Sequence, residues 1–179
     1  MQSRRRGREL ALKLLYGFDL LPRDVDATLR EFWTLTNYPE EVRTFAEQLV
    51  RGTLVHKDEI DAFIAENAIN WTIERMAVID RNILRYAVYE LIYEDVIPPK
   101  VTINEALDIA KKYSTPKSSA FINGILDNIH HTIMKKRNLL QQAKRRKKKE
   151  KLHREVSSAE ERLSLKTDNL PGYREQSTL

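Results

Sequence analysis

The stretch WTIERMAVIDRNILRYAVYELIYE, from Trp71 to Glu94, constrains the fold more than any other part of the chain. It contains no Gly or Pro and is dense in helix-forming residues. Met76, Ile79, Ile83, Ala87 and Leu91 recur at spacings of three and four, and Ala77, Leu84, Val88 and Ile92 form a second stripe that Asp80 interrupts. Two adjacent apolar stripes make a face wider than a surface helix needs, so the sequence predicts a central helix touched from more than one side. Thr72 is placed to cap its start, with Glu74 in the first turn, and Pro98-Pro99 stops the chain soon after its end. Asn82, Arg85, Tyr86, Tyr89 and Tyr93 fall on the opposite face, where the tyrosines suit amphipathic packing with hydroxyls toward water.

The remaining apolar periodicity is also helical. Leu10, Leu14 and Phe18 mark a helix over residues 3–21, ended by Pro22, and Asp24 caps a short one over 24–36. Pro39 suits the first position of a third helix carrying Val42, Phe45, Ala46, Leu49, Val50 and Leu54, and a fourth follows at about 58–68. Thr102-Ile103-Asn104-Glu105 has the form of a capping box opening a helix that runs to about Tyr113. Ser118 or Ser119 caps the last core helix, with Phe121, Ile122, Ile125, Leu126 and Ile129 inward. Gly52 suits a close approach by a neighbour. Gly124, costly inside a helix, predicts a tight helix crossing. No period-two run with hairpin chemistry appears. The expected fold is therefore all-α, a compact bundle of about seven helices over residues 1–134. A basic, mostly disordered tail is expected over 135–179, its first part able to continue the last helix.

Charge is segregated. Residues 135–154 hold eleven Lys and Arg against one Glu, including the block Lys144-Arg145-Arg146-Lys147-Lys148-Lys149, whereas the part before it is mildly acidic. The other basic concentration is Arg4, Arg5, Arg6 and Arg8, in the first turns of the first helix. Cations there oppose the helix dipole, so they do not serve helix stability. Arginines beside free helix N–H groups suit a phosphate, and a solvated basic terminus is the plain alternative.

Several functions are disfavoured. The chain has no Cys, hence no disulfide, thiol nucleophile or thiolate metal site, which fits a reducing compartment such as the cytoplasm. It has no apolar run long enough to span a membrane. There is no phosphate-cradling glycine loop, HExxH, nucleophile elbow or metal-ligand cluster, so neither catalysis nor a cofactor is expected. What remains is an arginine cluster with stackable rings: Tyr16 toward the far end of the first helix, and Phe121 just after Lys117. Single-stranded RNA needs that combination, because phosphates attract Arg and Lys and splayed bases lie on aromatic faces. Helical spacing equally suits both rings to the core.

Four blocks carry a family resemblance. They are Arg4-Arg5-Arg6-Gly7-Arg8-Glu9-Leu10-Ala11 through Leu15-Tyr16; Ile79-Asp80-Arg81-Asn82-Ile83-Leu84-Arg85 with Ala87-Val88-Tyr89-Glu90-Leu91; Val101-Thr102-Ile103-Asn104-Glu105-Ala106-Leu107 with Ala110-Lys111; and Phe121-Ile122-Asn123-Gly124-Ile125-Leu126-Asp127. In this order and spacing the chain resembles the NusB transcription antitermination family over most of residues 4–130. The resemblance implies two small helical subdomains and no catalysis. It also implies binding to the boxA element of ribosomal RNA leaders jointly with the ribosomal protein NusE, within the RNA polymerase antitermination complex. Carried over by position, Arg4, Arg5, Arg6, Arg8 and Tyr16 match one RNA-contacting region, and Lys117 and Phe121 a second. Glu74 and Asp80 match the surface that meets NusE. The family includes dimers that cover the arginine-rich surface, so a homodimer is an alternative state. The alternative function is a helical RNA-binding or dimerisation module related to the N-terminal domain of rRNA cytosine methyltransferases. Such a module would be non-catalytic here, because the chain has neither room for a cofactor-binding α/β domain nor a catalytic Cys.

Overall fold

The structure, a computed structural model, describes residues 2–167, with side chains for all of these except Lys149 and 151–167. Every regular element in it is helical: α1 (Gln2–Leu20), α2 (Val25–Thr34), α3 (Glu40–Val55), α4 (Lys57–Asn67), a single 3₁₀ turn (Ile73–Arg75), α5 (Val78–Tyr93), α6 (Pro99–Tyr113) and α7 (Ser118–Thr167). Residues up to Ile133 form one compact unit, and the remainder of α7 belongs to a second.

In the first unit α5 is the hub. Asp80 and every residue from Asn82 to Leu91 are buried, so no side of this helix meets water along its middle. The amphipathic reading of its tyrosine face is corrected for Tyr86, which is fully buried with no hydrogen-bond partner for its hydroxyl among the described residues, and Asn82 and Arg85 are buried with it, whereas Tyr93 is partly exposed and donates its hydroxyl to Glu59. The helix also starts later than expected. Met76 and Ala77 adopt extended backbone, so Met76 turns inward while Ile73–Arg75 closes a separate turn, and Thr72 caps α5 by no side-chain bond. Similarly, α6 begins at Pro99 rather than after Thr102, because Pro98 and Pro99 preset the entry. Thr102 is buried and points its hydroxyl at Glu90, 3.4 Å away, so the capping box does not form. Asp24 does cap α2, accepting from the Ala27 N–H at 2.6 Å.

Two glycines set how closely the elements approach. At Gly52 a side chain would collide with Tyr89 of α5, its Cβ overlapping the Tyr89 ring. At Gly7 a Cβ would meet the Phe45 ring at 2.7 Å, so glycine lets the first turns of α1 lie against α3. Gly124 is exposed and faces open space, so the tight crossing expected there is absent.

Buried polar groups are tied by charge. Arg85 of α5 donates to Asp61 of α4 at 2.7 and 2.8 Å and pairs with Asp19 of α1 at 3.0 Å, and Arg81 donates to the same Asp19 oxygen at 2.6 Å. Burial opposes ionisation of Asp19, but these donors outweigh it and hold its carboxyl below the usual range. In the second unit α7 stays helical through Thr167, further than its composition suggests. An exposed Arg146–Glu150 pair at 3.1 Å joins successive turns there. The disorder expected over 168–179 lies outside the described residues.

Candidate nucleic-acid interface

The four N-terminal arginines share one helix but not one role. Arg8 is 2% exposed. Its guanidinium donates to both carboxylate oxygens of Glu90 on α5, at 2.9 and 2.5 Å. Burial opposes the charge, but the hydrogen bonds and charge of Glu90 outweigh it and hold Arg8 above its ordinary pKa. A cation enclosed this way cannot reach a phosphate, which corrects the RNA-contact expectation for Arg8; the sequence marks Arg8 and Glu90 separately but does not pair them.

Arg5 is partly exposed and forked onto α6. It donates to Glu105 at 2.9 Å through two nitrogens and to Asp108 at 2.7 Å, and the Glu105 hydrogen bond leads in raising its pKa. Arg4 and Arg6 differ again. Both are exposed, and neither has a carboxylate within ion-pair distance among the described residues. The Arg4 guanidinium lies 5.8 Å from the Phe45 ring centre and that of Arg6 lies 5.1 Å from Tyr38, rings that steady the cations without neutralising them. No acidic residue occupies the first turn of α1.

Tyr16 is 40% exposed further along α1. At the start of α7 Lys117 is exposed and Phe121 half-buried, one turn apart, with the Phe121 N–H bonded to the Lys117 carbonyl at 3.2 Å. Phe121 packs edge-on against Trp71, ring centres 5.2 Å apart, and the Arg75 guanidinium sits 5.7 Å from the Trp71 ring centre. Periodicity presents Trp71 only as the start of a helix and gives Arg75 no role. The signal for both is the WTIER segment itself, which is a turn rather than helix.

The two acidic candidates separate. Glu74 is exposed in the 3₁₀ turn, its carboxyl held below the usual range by its own backbone N–H and by the Thr72 hydroxyl. Asp80 is 6% exposed and accepts from Ser114 at 2.5 Å and Ser118 at 2.8 Å. Its carboxylate is therefore spent on the loop between α6 and α7, the loop that positions Lys117, and not presented on the surface. Among the described residues no cluster of three ligating side chains is found, and no helix is long and apolar enough to cross a membrane.

An all-helical bundle with exposed arginines at one helix start and an exposed Trp71 packed on half-buried Phe121 beside a basic turn is built like a binding protein. The chain belongs to the NusB family, whose pattern it matches over residues 5–131. It is 49% identical over 138 residues to the transcription antitermination protein NusB of Geobacter sulfurreducens, covering 76% of this chain and 99% of that one. Among solved structures it is similar to T. maritima NusB, with 39% identity, a TM-score of 0.66, and coverage of 72% of this chain and 90% of that one. It is also similar to a chain in a crystal structure of antitermination factors NusB and NusE in complex with dsRNA, with 28% identity, a TM-score of 0.67, and coverage of 74% and 98%.

Proposed function

We propose that this chain is a non-catalytic RNA-binding antitermination factor that binds boxA-type single-stranded RNA of ribosomal RNA leaders together with NusE, acting in the cytoplasm within the RNA polymerase antitermination complex. The observation that carries this reading is the pair Arg4 and Arg6, exposed at the N-terminal turn of α1 with aromatic backing and no carboxylate partner among the described residues. Cations left unneutralised beside free helix N–H groups are suited to phosphate. Lys117 and Phe121 supply a second contact region, and Tyr16 an exposed ring on α1. The neighbouring structure that holds NusB with NusE and dsRNA supports NusE and RNA as partners for this chain.

On the protein side, exposed Glu74 is a candidate NusE contact, whereas Asp80 acts on such a surface only through the loop it holds. A homodimer that covers the arginine turn would compete with RNA. The test is fluorescence anisotropy with a labelled boxA-type RNA and a scrambled control, each with and without purified NusE. Tighter binding of the boxA-type RNA, increased by NusE, is expected. Equal binding of both RNAs, unaffected by NusE, would overturn the reading.

A further inference from the structure

Trp71 is 45% exposed, an unusual place for the largest apolar side chain, while the other tryptophan, Trp33, is buried. Its position is built rather than incidental. Asn70, just before it, has φ of 65°, in the left-handed region that a residue with a Cβ rarely adopts. The Trp71 N–H closes the turn on the Ala68 carbonyl at 3.1 Å. Buried Ala68 anchors the turn on one side and buried Met76 on the other. Asn67, at the end of α4, accepts from Thr132 of α7 at 3.2 Å, which ties the turn to the helix that carries Phe121. A strained turn clamped at both ends and presenting a ring to solvent implies a purpose for that ring.

The surroundings define the occupant. Trp71 and Phe121 meet edge to face, so ring surface of the pair remains open. Arg75 sits against Trp71, and Lys117 precedes Phe121 by one turn; neither has a carboxylate partner among the described residues. Exposed aromatic surface with one cation over the Trp71 ring and another a turn before Phe121 suits a flat, uncharged ring carried on a polyanion. Resting on the RNA-binding reading above, we infer that Trp71, Phe121 and Arg75 form a base-stacking subsite. An unpaired base of single-stranded RNA lies on the aromatic pair, and Arg75 and Lys117 take the adjoining phosphates. A base inside a duplex is stacked on its neighbours and cannot enter.

The test uses the full chain and a short single-stranded RNA oligonucleotide, with the same sequence as a perfect duplex for comparison. Binding is followed by anisotropy of a label on the RNA and, separately, by tryptophan emission. Single-stranded RNA is expected to quench the emission, and Trp71→Phe is expected to abolish the quenching while holding affinity within about threefold, because Phe retains a stacking face. Trp71→Ala is expected to weaken single-strand binding by about 5- to 150-fold, and Arg75→Ala to weaken it and lower its salt dependence. Circular dichroism checks that each variant folds; the wild-type emission and Arg75→Ala keep the test decisive if Trp71→Ala does not. RNA bound with full affinity by Trp71→Ala, or with no change in wild-type emission, would overturn the subsite and leave the RNA-binding reading standing. Equal quenching by the duplex would overturn it as a site for unpaired bases. Quenching by NusE alone and not by RNA would make it a protein-docking surface instead. Failure of the wild type to bind either RNA would remove both readings.

Discussion

Arg8 and the pair Arg4 and Arg6 lie within two turns of one helix, yet they do opposite things. Arg8 faces α5 and is closed off with Glu90, whereas Arg4 and Arg6 face water against aromatic rings, with no carboxylate within ion-pair distance among the described residues. The difference is one of environment, not residue type. A buried guanidinium needs a carboxylate to offset its desolvation, and once paired it has no charge left for a ligand. An exposed one loses little by staying unpaired and keeps its field for an incoming anion. A basic cluster is therefore not a single functional unit. Arg5, forked onto Glu105 and Asp108 but still half in water, stands between the two cases.

Breaking the buried side should have the largest effect. Arg8→Ala leaves Glu90 uncompensated in the core, where Thr102 at 3.4 Å is its one other side-chain donor among the described residues. A loss of about 3–5 kcal/mol in unfolding free energy is expected, read from urea denaturation. A loss below about 1 kcal/mol would mean that the pair behaves as a surface ion pair and that the contrast with Arg4 and Arg6 is unfounded. Gly52→Ala tests the same core sterically, because the new methyl would overlap the Tyr89 ring. A cost of about 1–3 kcal/mol is expected, and an unchanged denaturation midpoint would show that Tyr89 swings away freely.

The exposed side should respond in binding and not in stability. Replacing Arg4 and Arg6 together with Ala should shift the unfolding free energy by no more than about 0.5 kcal/mol. It should weaken RNA binding and flatten its dependence on salt, by about 0.7 in slope for each phosphate that is no longer neutralised. An unchanged slope in the folded double variant would take both residues out of the interface. A parallel series with residues 135–179 removed would separate the tail from the arginine turn. The tail block is highly cationic but lies beyond the part shared with the family, so its removal should lower affinity for specific and scrambled RNA by similar factors.

How much of this the sequence discloses follows from the kind of information each feature needs. The helices, the hub role of α5 and the Asp24 cap are local or periodic, and they read directly from spacing. The close approach at Gly52 is legible in the sequence, but its partner, Tyr89, is not. What escapes depends on which distant residues meet. Arg8 finds Glu90 across 82 positions and Arg85 finds Asp61 across 24, and no spacing rule joins them. Asp80 illustrates the limit well: a carboxylate breaking an apolar stripe stands out, but the same signal fits a partner-binding acid and a buried acceptor for Ser114 and Ser118. The late start of α5 is hidden because Glu74, Arg75, Met76 and Ala77 are good helix formers, and tertiary burial of Met76 overrides that propensity. Gly124 has no packing explanation in the structure.

The smallest expected effect sharpens the comparison through pH. Asp19 does for Arg81 and Arg85 what Glu90 does for Arg8, but at a more accessible site, its side chain 11% exposed. Its carboxyl is held below the ordinary value: burial alone would raise it, and the hydrogen bonds from Arg81, Asn82 and Arg85 with the charge of Arg85 more than reverse that. A folded-state pKa below the unfolded one makes the native state bind its proton less readily. The stabilisation is then fully present above the unfolded carboxylate value, near pH ~4, and is lost as pH falls through the depressed folded value. Asp19→Asn removes that titration while leaving a side chain of similar size. The variant should be less stable than the wild type at pH 7, by less than Arg8→Ala, and the gap should narrow as both are acidified below about pH 4. Urea midpoints of the two proteins at a series of pH values measure this directly. A gap that stays constant down to acid would assign the loss to packing or hydrogen-bond geometry. In that case the charge pairing that distinguishes the buried arginines from Arg4 and Arg6 would rest on Glu90 for Arg8 and on Asp61 for Arg85.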